Sequence, residues 1–300
     1  MERRLCVSLP ANPRWAFARY RAIDHRLPVA SRGYPPFSLK IKDLSEVFHR
    51  YDGFILDAFG VLNIGEGAIP GAVARIAQMR AAGKRLVVLT NGASKTRAEA
   101  LATYHRWGFD FAEDEVISSR DLAASAMTGH GGVWAAIAPD GSQFNDLPGD
   151  VRPLDARLLD EADGFLFLGS QGWTEVRQAE LIAALRARPR PVICANPDIV
   201  APREQGFTWE PGHYAHDLPV PVDFHGKPFG PALQAALDRL GLPARKVAMV
   251  GDTLHTDILG GRAAGCFTVL IAGHGFFAGT DPQPYIAASG ITPDFIAETT

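Results

Sequence analysis

A chain of 300 residues with 47% hydrophobic and 21% charged residues has the composition of a soluble globular protein, long enough for one large or two medium domains around a sizeable core. Its formal net charge of -3 and pI near 6.3 provide no basic field for a polyanion, so nucleic acid and an anionic membrane surface are poor partners. No run approaches the roughly 18 uninterrupted apolar residues of a membrane span.

Residues 1–36 are rich in Arg and Pro. Pro10, Asn12, Pro13 and Arg14 interrupt any stretch that could serve as a secretion signal, ARYRAIDHRL reads as a short helix and PVASRGYPPF as a linker. A peripheral arm or a partly disordered tail is the expectation. From Tyr51 onward strands and helices alternate, which argues a mainly parallel sheet with crossover helices. FILD (54–57) and RLVVLT (85–90) bracket a helix placed from Pro70 to Gly83, with Pro in its first turn and Gly just past its end. A helix follows Ser94 up to Gly108, and then EVISS, GVWAAIA, GFLFLG and PVICAN read as short apolar strands. Between the last two, TEVRQAELIAALRAR places Val176, Ala179, Leu181, Ile182 and Leu185 largely on one helix face. A Pro- and His-rich loop (211–225) precedes a helix in GPALQAALDRLG, a strand in KVAMVGD, a helix in TDILGGRAAG and a strand in CFTVLIAG. Three cysteines, Cys6, Cys194 and Cys266, are odd in number and sit in or beside apolar runs, which suits buried thiols in a reducing, cytoplasmic setting.

Chemistry gathers where strand-like runs give way to loops, the edge at which ligands of open α/β sheets collect. Asp57 ends FILD, and Gly60 in DAFGVLN permits a tight turn that could aim backbone N–H groups at an anion. A carboxylate there can act as a nucleophile that divides phosphoryl transfer into two steps. In GDTLHTD, Asp252 and Asp257 stand five apart across a strand-to-helix junction and offer two hard oxygen ligands of the kind magnesium takes beside a substrate phosphate. Thr90 in LTNG and Lys227 in HGKPFGP supply donors for spreading oxygen charge. Each has a plainer reading: Asp57 as a turn former, Asp257 and Thr90 as helix caps, Lys227 as a solvated loop lysine. His213, His216 and His225 fall in one loop without a zinc spacing, so ordinary pocket or surface histidines are the expectation.

The four segments, in this order, resemble motifs one to four of the haloacid dehalogenase superfamily of aspartate-nucleophile hydrolases, over residues 51–275. DAFGVLNIGEGAIPGAVARIAQMRAAGKRLVVLTNGASKT, CANPDIVAP, HGKPFGPAL and VGDTLHTDI resemble its IIA branch of small-molecule phosphatases. The resemblance implies an α/β fold, a Rossmann-like core at 37–92 and 223–300 interrupted by an α/β cap of the C2 type at 93–222. It implies Asp57 as nucleophile and magnesium held by Asp57, the Phe59 backbone oxygen and Asp252, with Asp257 completing the shell. Thr90 and Lys227 would hold phosphoryl oxygens, with Gly60 and Asn91 shaping the phosphate site; Asn196, Pro197 and Asp198 match a further recurrent segment. One residue departs: Phe59 stands where such phosphatases place a second Asp as general acid and base. His225 or His255 could replace that group. The expected activity is hydrolysis of a small phosphorylated metabolite, with carbon–halogen hydrolysis and noncatalytic phosphometabolite binding as rivals. Oligomeric state stays open, a homodimer among the options.

Overall fold

The computed structural model describes residues 12–203 and 206–300. Two parallel sheets organise them. The larger has seven strands in the order Leu39–Asp43, Phe295–Thr299, Phe267–Ile271, Val247–Gly251, Gly53–Leu56, Arg85–Thr90 and Val116–Ser118. The smaller has five: Val222–Phe224, Val192–Cys194, Gly164–Phe167, Val133–Ile137 and Asp150–Pro153. Among the described residues no helix is long and apolar enough to cross a membrane.

Strands of the larger sheet are apolar on both faces because parallel crossovers lay helices over each. Phe54, Leu56, Leu86, Val88 and Val250 point to one side, where Ile76 and Met79 of helix Ala72–Ala81 meet them. Ile55, Val87, Leu89, Val247 and Met249 point to the other and pack on Leu233, Leu237 and Leu240 of helix Gly230–Leu240. The smaller sheet buries Phe165, Phe167 and Val192 against Leu181 and Leu185 of helix Glu175–Ala187. Its opposite face, with Trp134, Ala136, Leu166 and Ile193, lies on Ala123 and Met127 of helix Ser119–Met127, so the inserted unit rests on the core through a continuous apolar layer. The strands expected to rejoin across the insertion do so: Arg85–Thr90 and Val247–Gly251 flank Gly53–Leu56 in one sheet.

Several local expectations are corrected. The insertion does not start at 93, because Val116–Ser118 pairs with Arg85–Thr90, Ile117 opposite Leu89, as the last strand of the core sheet. Nor does it end at 222, since Val222–Phe224 pairs with Val192–Cys194. The 211–225 segment is not all loop; it contains helix Pro211–Ala215 and that strand. Val176 is exposed, and Gln178 takes the inward position because its amide accepts from Trp173 Nε1 at 2.9 Å and donates to the Tyr214 carbonyl at 3.0 Å. The helix expected from Pro70 starts at Ala72, after Gly71 at φ 86°. The helix expected over TDILGGRAAG begins earlier, as a π-helical turn Leu254–Ile258, and continues as a short α-helix Leu259–Ala263.

The N-terminal segment is also not a peripheral arm over its described part. Asn12 caps helix Pro13–Ile23, accepting from Trp15 N at 2.9 Å, and Ala16, Tyr20 and Ile23 turn a buried face inward. Those three join Ile199 and Val200 of the insertion and Leu254, Ile258 and Phe276 of the core in one apolar cluster. Cys6 lies outside the described residues, while Cys194 and Cys266 are free and buried.

Candidate active site

Pairing of Leu56 opposite Val250 brings the C-terminal ends of two neighbouring strands level, which places Asp57 and Asp252 side by side. Asp57 N donates to the Val250 carbonyl at 2.9 Å, and Asp57 Oδ1 accepts from Ala58 N at 2.7 Å. Asp257 comes in from the π-helical turn, with Oδ2 accepting from Thr253 N at 3.1 Å. Carboxylate oxygens of Asp57, Asp252 and Asp257 lie within 4.8 Å of one another. Lys227, delivered from the other half of the core, puts Nζ 2.5 Å from Asp57 Oδ1 and 2.8 Å from Asp257 Oδ1. Both are close ion pairs with angles outside hydrogen-bond geometry. Lys227 is 1% exposed and Asp257 fully buried, so neither a solvated lysine nor a surface helix cap describes them.

Burial pushes the Asp57 carboxyl up to about 7, with Lys227 pulling the other way and Asp257 adding to the rise. Asp252 is held well above the ordinary carboxylate range by burial and by its two acidic neighbours. Burial by itself would depress Lys227, but Asp257 and Asp57 outweigh it and hold the ammonium charged. Without a cation the raised Asp57 and Asp252 carboxyls tend to keep their protons; fully ionised, the three carboxylates exceed the one ammonium by two negative charges, the balance a divalent cation neutralises. Hard oxygen donors at this spacing fit magnesium.

Backbone shape makes the approach of these groups sterically allowed. Gly60 sits at φ 73°, and a Cβ there would fall 2.6 Å from the Asp252 side chain. Its own N–H closes the turn by donating to the Asn63 carbonyl at 2.9 Å. Asn91 likewise has its amide committed: Nδ2 donates to Lys227 O and to Asp198 Oδ1, both at 2.9 Å, and Oδ1 accepts from Lys227 N at 2.7 Å. The Asn91 side chain therefore anchors Lys227. Thr90 is buried at its strand end and accepts from Gly92 N at 3.1 Å, keeping its hydroxyl proton for another acceptor.

Phe59 is half-buried, with the guanidinium carbon of Arg203 5.2 Å from its ring centroid. Arg203 extends from the hairpin Val200–Pro202 and Phe207–Trp209, where Nη2 pairs with Glu210 at 3.0 Å and Nε donates to Thr208 Oγ1 at 2.9 Å. The two histidines considered as substitute acids have other partners. The His255 ring stacks on Tyr20 and meets Phe17 edge-on, with burial driving it down to about 3 and so keeping it neutral. His225 Nε2 lies 2.9 Å from Asp223 Oδ2. His213 stacks on Trp209 and His216 on Phe224, and among the described residues the three aspartates form the metal-competent cluster.

Sequence reasoning missed Gly275 and Phe276. Phe276 N donates to Asp252 Oδ2 at 2.8 Å, and Gly275 at φ 66° leaves no room for a Cβ beside that carboxylate. The available signal was a glycine shortly after CFTVLIAG, the strand adjacent to Val247–Gly251. A separate concavity of about 720 Å³ near Arg26, Phe224 and Phe229 holds none of these acids.

Residues 54–143 match the model of the haloacid dehalogenase-like hydrolases, and residues 224–299 match a second HAD-hydrolase-like model. Phosphoglycolate phosphatase 1A, chloroplastic, of Arabidopsis thaliana is 26% identical over 285 residues, covering 84% of this chain and 78% of that protein. The acid sugar phosphatase of Staphylococcus haemolyticus is 28% identical over 237 residues, covering 73% of this chain and 84% of that one. The crystal structure of a possible sugar phosphatase of the same superfamily from Cytophaga hutchinsonii superimposes with a TM-score of 0.77 at 27% identity, over 87% of this chain and 98% of that one.

Proposed function

This chain belongs to the haloacid dehalogenase-like hydrolases, in their IIA branch, and we propose that it is a magnesium-dependent phosphatase of a small phosphorylated metabolite, with Asp57 as nucleophile. The observation that carries the reading is the convergence of Asp57, Asp252 and Asp257 at the carboxyl edge of the core sheet, with Asp57 and Asp257 paired to one buried lysine. The similar proteins named above as phosphatases support the reaction class.

Asp57, Asp252 and the Phe59 backbone oxygen would hold the cation, with Asp257 beside them; when bound, it neutralises phosphoryl oxygen charge. Asp57 attacks phosphorus and forms an acyl phosphate. The bond from phosphorus to the leaving oxygen breaks, and that oxygen keeps the electron pair and takes a proton. Water then attacks the phosphoryl group, releases orthophosphate and restores the Asp57 carboxylate. Lys227 and the Thr90 hydroxyl stabilise the spreading charge, and Asn91 keeps Lys227 in register. Phe59 has no proton to exchange, so the leaving oxygen departs without a carboxylic acid at that position. Retention of three metal-competent carboxylates ranks carbon–halogen hydrolysis below phosphate chemistry.

A panel of phosphorylated metabolites assayed with magnesium and with chelator tests the reading. Orthophosphate release that needs magnesium and vanishes in Asp57→Asn is expected. Stoichiometric binding of a phosphometabolite with no orthophosphate released even in a single turnover would mean a binding module instead.

A further inference from the structure

The helix Pro13–Ile23 touches both sheet units. On the insertion side, Arg19 Nη2 donates to the His213 carbonyl at 2.9 Å and pairs with Asp217 at 2.7 Å, while Trp15 packs on Trp209 and His213. Arg26, just beyond the helix, donates to the His216 carbonyl. On the core side, Phe17 meets His255 and Tyr285, and Ser31 further along donates to the Ala263 carbonyl at 2.7 Å. Tyr20 sits between the two, 2% exposed.

Two contacts of Tyr20 lead to the same lysine. Its hydroxyl accepts from the buried Ile199 N–H at 3.2 Å, and Ile199 follows Asp198, whose Oδ1 accepts from Asn91 Nδ2; Asn91 in turn grips both backbone groups of Lys227. Its ring stacks on His255 at 4.8 Å with planes 4° apart, and His255 shares the π-helical turn with Asp257, the second partner of Lys227 Nζ. Without the Tyr20 hydroxyl the Ile199 N–H loses its partner in a dry cluster, which favours displacement of the 196–199 segment.

We propose that Tyr20 is a positioning residue for Lys227, setting its place through the Asp198–Asn91 link, so that the N-terminal segment is a working part of the phosphate site. This rests on the reading that Lys227 holds a phosphoryl group. Spatial continuity is not coupling, so the test measures coupling.

Orthophosphate affinity is measured by calorimetry at saturating magnesium in the wild type, Tyr20→Phe, Asp198→Ala and the double variant, with melting temperature and kcat alongside. Tyr20→Phe keeps the ring stack and removes the acceptor; orthophosphate binding about fivefold weaker, with a matching fall in kcat, is expected. In the Asp198→Ala background the same change should cost less than about twofold, because the link is already cut. A lower melting temperature with unchanged orthophosphate affinity would make Tyr20 merely structural and overturn the inference, leaving the phosphatase reading intact. An undiminished fivefold effect without Asp198 would overturn the stated route. Failure of the wild type to bind orthophosphate at all overturns both.

Discussion

Asp252 collects the Phe276 N–H, the Thr253 hydroxyl and a close Gly60, yet its charge is opposed by two neighbouring acids. Asp252→Asn keeps the shape and removes one negative charge, so magnesium affinity should fall at least tenfold by calorimetry and metal-dependent turnover with it. Wild-type affinity in that variant would remove Asp252 from the metal site. Phe59 belongs to the same scale. With no acid two residues after the nucleophile, substrates whose leaving oxygens need little protonation should be favoured, because general-acid help is worth about 10²- to 10⁴-fold and most for basic leaving groups. Aryl and acyl phosphates should therefore outpace alkyl phosphates, and Phe59→Asp should narrow the ratio of their kcat/KM values. Fast wild-type alkyl phosphate hydrolysis would show that another group supplies the proton.

The joints between elements carry their own charges. Arg120, on the core helix Ser119–Met127, is buried and pairs with Asp146 of the insertion, Nη2 to Oδ1 at 2.6 Å and Nε to Oδ2 at 2.7 Å, while donating to the Gln143 and Ala93 carbonyls. Asp146→Ala removes the counter-charge of a buried guanidinium that keeps two carbonyl acceptors, and because Asp146 is partly exposed a loss of about 1–3 kcal/mol in urea unfolding is expected. His213 and His216 sit under the N-terminal segment, with burial driving the first down to about 4 and the second to about 3, aided by nearby arginines. A histidine with a folded pKa below its unfolded value of about 6.5 takes up protons on unfolding, so stability falls as pH drops below that value and continues to fall until the folded pKa is reached. The raised carboxyls of Asp57 and Asp252 act in the opposite sense over the same range but are common to both proteins, so the histidine slope should appear as the difference between wild type and His216→Phe in thermal melts between pH 7 and pH 4.5, the variant retaining an aromatic partner for Phe224. An unaltered slope would place the acid sensitivity elsewhere.

For the whole molecule, the joints between insertion and core include the apolar layer over Ala123 and Met127, the Arg120–Asp146 pair, the Asn91–Asp198 hydrogen bond and the helix Pro13–Ile23. A ligand that binds only the assembled site should then stabilise the entire fold. Magnesium at about 100 times its dissociation constant is worth about 2.7 kcal/mol, a rise of a few degrees in a single melting transition for a chain of this size. Two separate transitions, only one of them magnesium-sensitive, would mean that the two units unfold independently.

The groups that the fold brings together, Asp57, Lys227, Asp252 and Asp257, were legible in the sequence because each terminates an apolar run or lies in a short glycine-marked segment, and the order of those segments is itself informative. Alternation of strands and helices likewise specified a parallel α/β fold without any knowledge of contacts. Membership of a sheet was not legible: EVISS and GVWAAIA are similar apolar runs, and only pairing with Arg85–Thr90 or with Gly164–Phe167 assigns one to the core and the other to the insertion. Nor could local pattern reveal that Asn91 grips a lysine 136 residues away, that Phe276 supports Asp252, or that Tyr20 caps an amide 179 residues distant. Periodicity records which face of a residue is buried, whereas the partner on that face is set by how the sheets and their crossovers close in space, and there the tertiary structure alone decided.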